Sequence, residues 1–115
     1  MSYPADFNNL RRDSRVNTEL PARISIGSQL TLNGHLKDLS LKSAFIRIKN
    51  SVYMQLNDEV GFAIQIAPGK TEEVIEGAAR ISRIAVGEGL AIYFTKMEET
   101  SLKRLKDLLK ETGIY

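Results

Sequence analysis

The sequence predicts a mainly antiparallel β domain, a barrel or a sandwich, followed by one C-terminal helix. Three observations predict this fold class. Apolar and polar residues alternate with a period of two in several segments between Leu20 and Phe94. Turn-forming residues such as Gly87–Gly89 separate these segments, with no helical pattern between them. The period then lengthens to 3.6 residues, which predicts an amphipathic helix over about residues 98–112.

Composition indicates one ordinary globular domain of 115 residues, 43% hydrophobic and 26% charged. No apolar run approaches the roughly 20 residues that span a bilayer, so no membrane insertion is expected. The N-terminus lacks the apolar core of a secretory signal. There is no cysteine, which excludes disulfides and thiolate metal sites. We expect a cytoplasmic, bacterial-type protein.

The first two predicted strands cover residues 20–26 and 30–38, where apolar residues occupy alternate positions. The Asn33-Gly34 pair is also a hairpin signal. Each half of the second segment would make a very short strand. We therefore predict one long strand with a bulge at Gly34.

Four more strands are predicted by the same alternation, over residues 45–48, 60–66, 73–84 and 90–94. A turn at Pro68–Lys70 separates the second and third of these strands. The alternation assigns three phenylalanines to the core, namely Phe45, Phe62 and Phe94.

The predicted helix carries one apolar stripe formed by Leu102, Leu105, Leu108 and Leu109. Thr100 or Ser101 is expected to cap its start, and Gly113 its end. Its remaining face is basic and consists of Lys103, Arg104, Lys106 and Lys110. The helix is expected to cover a barrel opening or a strand edge, and partner binding is the alternative.

Positive charge is concentrated near the N-terminus, although the net charge is only +2. Arg11, Arg12 and Arg15 lie within five residues, which favours a compact anionic partner over a long polyanion. Residues 1–17 show no periodicity and are interpreted as a flexible arm that a ligand could order. Residues 18–115 would form the barrel and its helix.

Arg11 and Arg15 have the spacing R-x-x-x-R. Two guanidinium groups four residues apart can straddle one anionic ligand, and each is a planar fork for a phosphate or a base. Lysine would supply the charge but not the plane. Solvated surface charge remains the simpler interpretation of this cluster by itself.

Asp38 and Ser40 are two residues apart, so in a continuous strand both would project from one face, where the apolar face had been. A carboxylate accepts paired N–H donors such as a guanine edge, and a hydroxyl beside it can donate or accept. The alternative is a strand end with an Asx or Ser turn into the third strand.

Together, the two clusters resemble the PilZ domain family, whose pattern is RxxxR followed by [D/N]xSxxG. The resemblance covers nearly the whole chain and implies a six-stranded antiparallel split β-barrel with a C-terminal helix. It also implies a non-enzymatic receptor for cyclic di-GMP. Arg11 and Arg15 would clamp the phosphates and stack on guanine, and Arg12 would contribute on the phosphate side. Asp38 and Ser40 would contact a guanine edge.

Ser43 stands where the family pattern has glycine. If that position requires a positive φ, serine tolerates it less well. The alternative is therefore a PilZ-like protein-interaction module that no longer binds the dinucleotide. Leu10 offers no basic group for a second, stacked dinucleotide, so one ligand per chain is expected. The effector partner is unknown; the resemblance implies motility, exopolysaccharide or transcription machinery.

Other functional classes fit poorly. His35 is the only histidine, so no triad or multi-histidine metal site can form. No phosphate-binding glycine loop is present, and no cofactor is expected. Binding to DNA or RNA is not expected, because aromatic residues are only 7%. In addition, Tyr53 and Tyr93 have no basic sequence context.

Overall fold

The structure, a computed structural model, describes residues 16–17, 19–27, 30–49, 54–66 and 73–111. These residues form seven strands and one helix. In chain order the elements are β1 (Val16–Asn17), β2 (Pro21–Ile26), β3 (Leu30–Leu39), β4 (Ser43–Arg47), β5 (Glu59–Gln65), β6 (Val74–Ala85), β7 (Gly89–Met97) and α1 (Glu99–Glu111).

Six of the strands close into an antiparallel barrel. Their order around it is β3-β2-β5-β6-β7-β4, and β4 pairs back onto β3. The short strand β1 pairs with the end of β3. The predicted six-stranded antiparallel barrel with one C-terminal helix is therefore confirmed.

The barrel interior follows the predicted alternation. Phe62 and Phe94 stack inside it, with their ring centroids 4.8 Å apart. Leu105 and Leu109 of α1 are fully buried and extend the core beyond the sheet. Each fully buried aliphatic side chain of this kind contributes about 1.5–3 kcal/mol to folding.

Gly34 is a point where the sequence-based expectation was wrong. β3 is one long strand as predicted, but Gly34 pairs regularly with Ala22 and is not bulged. Its backbone packs against the neighbouring strand: an added Cβ would overlap the carbonyl oxygen of Arg47 and lie 2.8 Å from Cγ1 of Ile48. Glycine is therefore required for close approach, and the bulge lies further along β3.

Helix α1 begins at Glu99, so Thr100 and Ser101 lie in its first turn and neither is the N-cap. The carbonyl of Glu98 accepts the first helical hydrogen bond, from the Leu102 N–H at 2.9 Å. The helix bounds agree with the predicted range within the residues described. The expected cap at Gly113 and the turn at Pro68–Lys70 lie outside the described residues.

The helix covers the edge of β6, which extends past its pairing with β7. Ser101 Oγ accepts a hydrogen bond from the N–H of Glu76 at 3.1 Å. Arg104, expected on the exposed face, donates from Nη1 to the carbonyl of Val74 at 2.8 Å. Because unpaired strand groups need hydrogen-bond partners, these side chains complete the sheet edge.

Candidate functional site

A bulge in β3 decides where Asp38 points. Leu36 pairs with Ile46 of β4, and Asp38 pairs with the adjacent Phe45. Lys37 is therefore an extra residue in β3. Leu36 and Leu39 are both fully buried, whereas Asp38 lies opposite Phe45 on the outer face. A bulge re-aims side chains in this way. The continuous alternation expected from the sequence is therefore interrupted here, and Lys37 and Asp38 both face outward.

Ser40 and Ser43 form a tight turn between β3 and β4. The Ser40 N–H donates to the Ser43 carbonyl at 2.9 Å, and the Ser43 N–H donates to Ser40 Oγ at 3.2 Å. The two hydroxyl oxygens are 3.1 Å apart. Ser40 is only 2% exposed. Its hydroxyl shapes the turn, as in the Ser-turn alternative, and the turn is anchored by a 2.9 Å bond from the Phe94 N–H to the Lys42 carbonyl.

Ser43 has an ordinary backbone conformation. Among the described residues, Asn57 is the only non-glycine with a positive φ. The backbone conformation of Ser43 therefore does not require glycine, and its hydroxyl is part of the turn's hydrogen bonding. It lies on the outer face, opposite Tyr93 of β7.

The chain that follows the arginine motif runs alongside Asp38. Val16 lies opposite Leu39, and Asn17 lies opposite Asp38. One edge of β3 at these residues is paired with β4. β1 must therefore pair with the opposite edge, which is the edge that β2 pairs with earlier in β3. Arg11, Arg12 and Arg15 themselves lie outside the described residues.

Phe45 is buried, as the sequence predicts, but it lies outside the main cluster of the barrel interior. It is 6% exposed, but it points to the outside of the barrel, between the inward-facing Ala44 and Ile46. Lys37 Nζ lies over its ring at 5.3 Å from the centroid, and Arg83 Cζ lies over it at 5.4 Å. Two cations therefore lie over an aromatic ring directly opposite Asp38.

Tyr93 has one basic cross-strand neighbour that is distant in the sequence, Arg80. It is 50% exposed and lies in register between Ser43 on β4 and Arg80 on β6. Arg80 in turn donates to Glu59 Oε2 at 3.3 Å. The neighbours are distant in sequence, so only the strand order reveals them.

A cavity of about 920 Å³ lies toward the opposite end of β4. Its charged lining is mostly basic and comprises Arg23, Arg47, Lys49 and Glu88, with His35 beside them. It contains neither Asp38 nor either serine of the turn. In the described part of the chain, no cluster of three metal-ligating side chains occurs. Within the same residues, no helix combines the length and apolarity needed to cross a membrane.

A family profile for the PilZ domain matches residues 9–111, which is most of the chain. The chain belongs to the PilZ domain family. PilZ domains are ligand-binding regulatory domains without catalysis of their own, and the family is a cyclic di-GMP receptor fold.

Three solved structures share this fold at low sequence identity. The PilZ domain of CeSA from a cellulose-synthesising bacterium has a TM-score of 0.65 and 18% identity over 86% of this chain and 97% of that one. The PilZ domain of YcgR from Escherichia coli, solved with c-di-GMP, has a TM-score of 0.69 and 16% identity over 90% and 91%.

The third structure is the inhibitor of motility MotI/DgrA from Bacillus subtilis, with a TM-score of 0.72 and 13% identity. The match covers 90% of this chain but only 50% of that protein. A search of curated proteins found no match. At these sequence identities the three structures establish the barrel fold alone. The c-di-GMP in the YcgR structure is a ligand of YcgR.

Proposed function

We propose that this PilZ domain is a receptor for cyclic di-GMP. The ligand would be held between the arginine motif and the outer barrel surface at Asp38, Ser40 and Ser43. The pairing of β1 with β3 carries this proposal. Val16 lies opposite Leu39, and the strands are antiparallel. The chain direction therefore leads from Val16 back toward the Ser40–Ser43 turn, and Arg15 is the next residue.

Both motif arginines are within reach of that turn. Arg15 directly precedes Val16, and Arg11 is five residues from Val16, a distance of at most about 18 Å for an extended chain. Their guanidinium groups suit a cyclic dinucleotide, which carries two phosphates and two purines, because each can grip a phosphate or stack on a base. Arg12 would add charge on the phosphate side.

On the barrel, Asp38 is the group that suits a guanine edge. A carboxylate accepts the N1–H and N2–H donors together, and the β3 bulge directs Asp38 outward. Ser40 would act by holding the turn, because its hydroxyl bonds to Ser43. Ser43 would face the ligand beside it. One dinucleotide per chain and no further cofactor are expected.

Binding would order the arm against the barrel and thereby present a new surface to an effector protein. The exposed lysines of α1, Lys103, Lys106 and Lys110, are the second surface proposed for such a partner. Hydrogen exchange of residues 1–15 should slow when cyclic di-GMP is added, and unchanged exchange would contradict this response.

The test is isothermal titration with cyclic di-GMP, using GTP as the competing guanine nucleotide. The wild-type chain should bind the cyclic dinucleotide selectively, with one site per chain. The double variant Arg11→Ala, Arg15→Ala should lose this binding. A matched control, Arg23→Ala with Arg47→Ala, removes the same charge from the cavity side of the barrel and should bind like the wild type.

The absence of heat and of thermal stabilisation with a folded wild-type chain at high ligand concentration would refute the receptor function. It would favour the alternative, a PilZ domain that acts only through protein contacts. Equal losses in the two double variants would instead indicate nonspecific attraction of an anion, because the variants carry the same net charge.

A further inference from the structure

We infer that Lys37, Phe45 and Arg83 form a stacking platform for a purine base of the bound dinucleotide, beside the base whose edge Asp38 contacts. This inference rests on the proposed function and adds a subsite to it. The three residues come from three different strands, and their arrangement depends on two bulges.

The bulges in β3 and β6 direct the two cations onto one outer surface. In β3 the extra residue is Lys37 itself. In β6 the register with β7 shifts between Ile81 and Arg83, so Ser82 is the extra residue, and its Oγ donates to the Ala91 carbonyl at 3.2 Å. Each bulge thus places a basic side chain near Phe45 on the outer face of the sheet.

Ala91 makes the approach of Arg83 possible. In register, Arg83 lies opposite Ala91, and Ala91 lies opposite Phe45. The guanidinium group therefore crosses the whole of β7, since two strand spacings amount to about 9.6 Å. A methyl side chain at position 91 leaves room for this crossing. A large residue there would block the path.

The platform is suited to a base because its parts are already in place. Arg83 is exposed, and its guanidinium carbon lies over the Phe45 ring. A planar cation held in this way loses less conformational entropy on stacking, and its outer side can receive a purine. Lys37 adds a point charge for the neighbouring phosphate. Asp38 is the direct cross-strand neighbour of Phe45, so both groups serve one ligand.

Arg80 provides a matched comparison. It lies on the same strand and the same outer face as Arg83, but it is bonded to the Glu59 carboxylate at 3.3 Å. Its charge is already compensated, whereas Arg83 lies over a neutral ring. Exposed surface ion pairs of this type contribute little to stability, so replacing Arg80 is a mild control.

The experiment compares Arg83→Ala, Arg83→Lys and Arg80→Ala by titration with cyclic di-GMP. Arg83→Ala removes the stacking partner of one base and should weaken binding about 5- to 100-fold. Arg83→Lys keeps the charge but loses the plane and should remain at least about 5-fold weaker than the wild type. Arg80→Ala should stay within about twofold. Urea titrations should show that all three variants are folded.

Three outcomes would overturn the inference, and they are distinguishable. If the wild type binds and both Arg83 variants match Arg80→Ala, the platform is wrong while the receptor function stands. If the folded wild type does not bind cyclic di-GMP at all, the proposed function fails, and the platform fails with it. If Arg83→Lys binds with the affinity of the wild type, Arg83 contributes only its positive charge, and stacking is contradicted.

Discussion

The two ends of β4 offer two different surfaces for a ligand. At its start, Ser43 joins the hydrogen-bonded turn beside Asp38, on the outside of the barrel. At its end, Arg47 lines the cavity of about 920 Å³, together with His35. One end provides volume and positive charge. The other provides a hydrogen-bonded turn and an outward carboxylate.

Volume and positive charge alone do not make a surface selective for guanine. Guanine is distinguished by paired N–H donors, which require an acceptor such as a carboxylate. Among the described residues that line the cavity, Glu88 is the one charged acceptor, beside several basic groups. The turn end combines Asp38 with β1, which leads directly to the arginine motif. We therefore expect the two ends to respond differently to substitution.

The largest effect should come from Gly34→Ala, at the cavity end. The new Cβ would overlap the backbone of β4, so the variant should lose about 3 kcal/mol of unfolding free energy in urea. Gly61→Ala is the matched control, because its Cβ would lie 3.7 Å from the nearest atom, Ser25 Cβ. Equal stability of the two variants would show that the strands at Gly34 can separate without cost.

Asp38→Ala should have the next largest effect, on affinity. Loss of a charged acceptor for two guanine donors should weaken cyclic di-GMP binding about 10- to 100-fold by titration. Glu59→Ala removes a carboxylate from the same outer surface and should leave the affinity within about twofold. A similar loss in both variants would mean that Asp38 acts through general charge.

Ser43→Gly should have a smaller effect, on stability. It restores the glycine of the family pattern but removes the 3.1 Å contact with the Ser40 hydroxyl and frees the backbone. Unfolding free energy should fall by about 1 kcal/mol, with little change in affinity, because φ is ordinary at this position. A large gain in affinity on Ser43→Gly would show instead that the serine side chain obstructs the ligand.

The smallest effect should come from His35→Ala, which changes the cavity lining only. Affinity for cyclic di-GMP should stay within about twofold of the wild type. A strong loss would relocate the ligand to the cavity end of β4. Backbone amide shifts on ligand addition would give the same answer directly: they should cluster at residues 37–43 and not around His35.

Much of the fold could be predicted because its signals are local. Alternation in a strand and the leucine spacing in α1 follow from the geometry of a few consecutive residues. The candidate site residues were predicted from the resemblance of the arginine motif and the Asp38–Ser43 segment to the PilZ family pattern, and they stay a prediction. Their roles were less predictable, since the sequence did not reveal that Ser40 is buried in the turn it stabilises.

By itself, the sequence determined the six-stranded barrel with its helix, and its resemblance to the PilZ pattern predicted which residues would bind an anionic dinucleotide. The tertiary structure alone decided that Phe45 faces outward under Lys37 and Arg83, and that Asp38 faces outward with it. The physical reason is register. A shift of one residue moves a strand's side chains to the other face, and the bulges that make these shifts depend on partner strands far away in the chain.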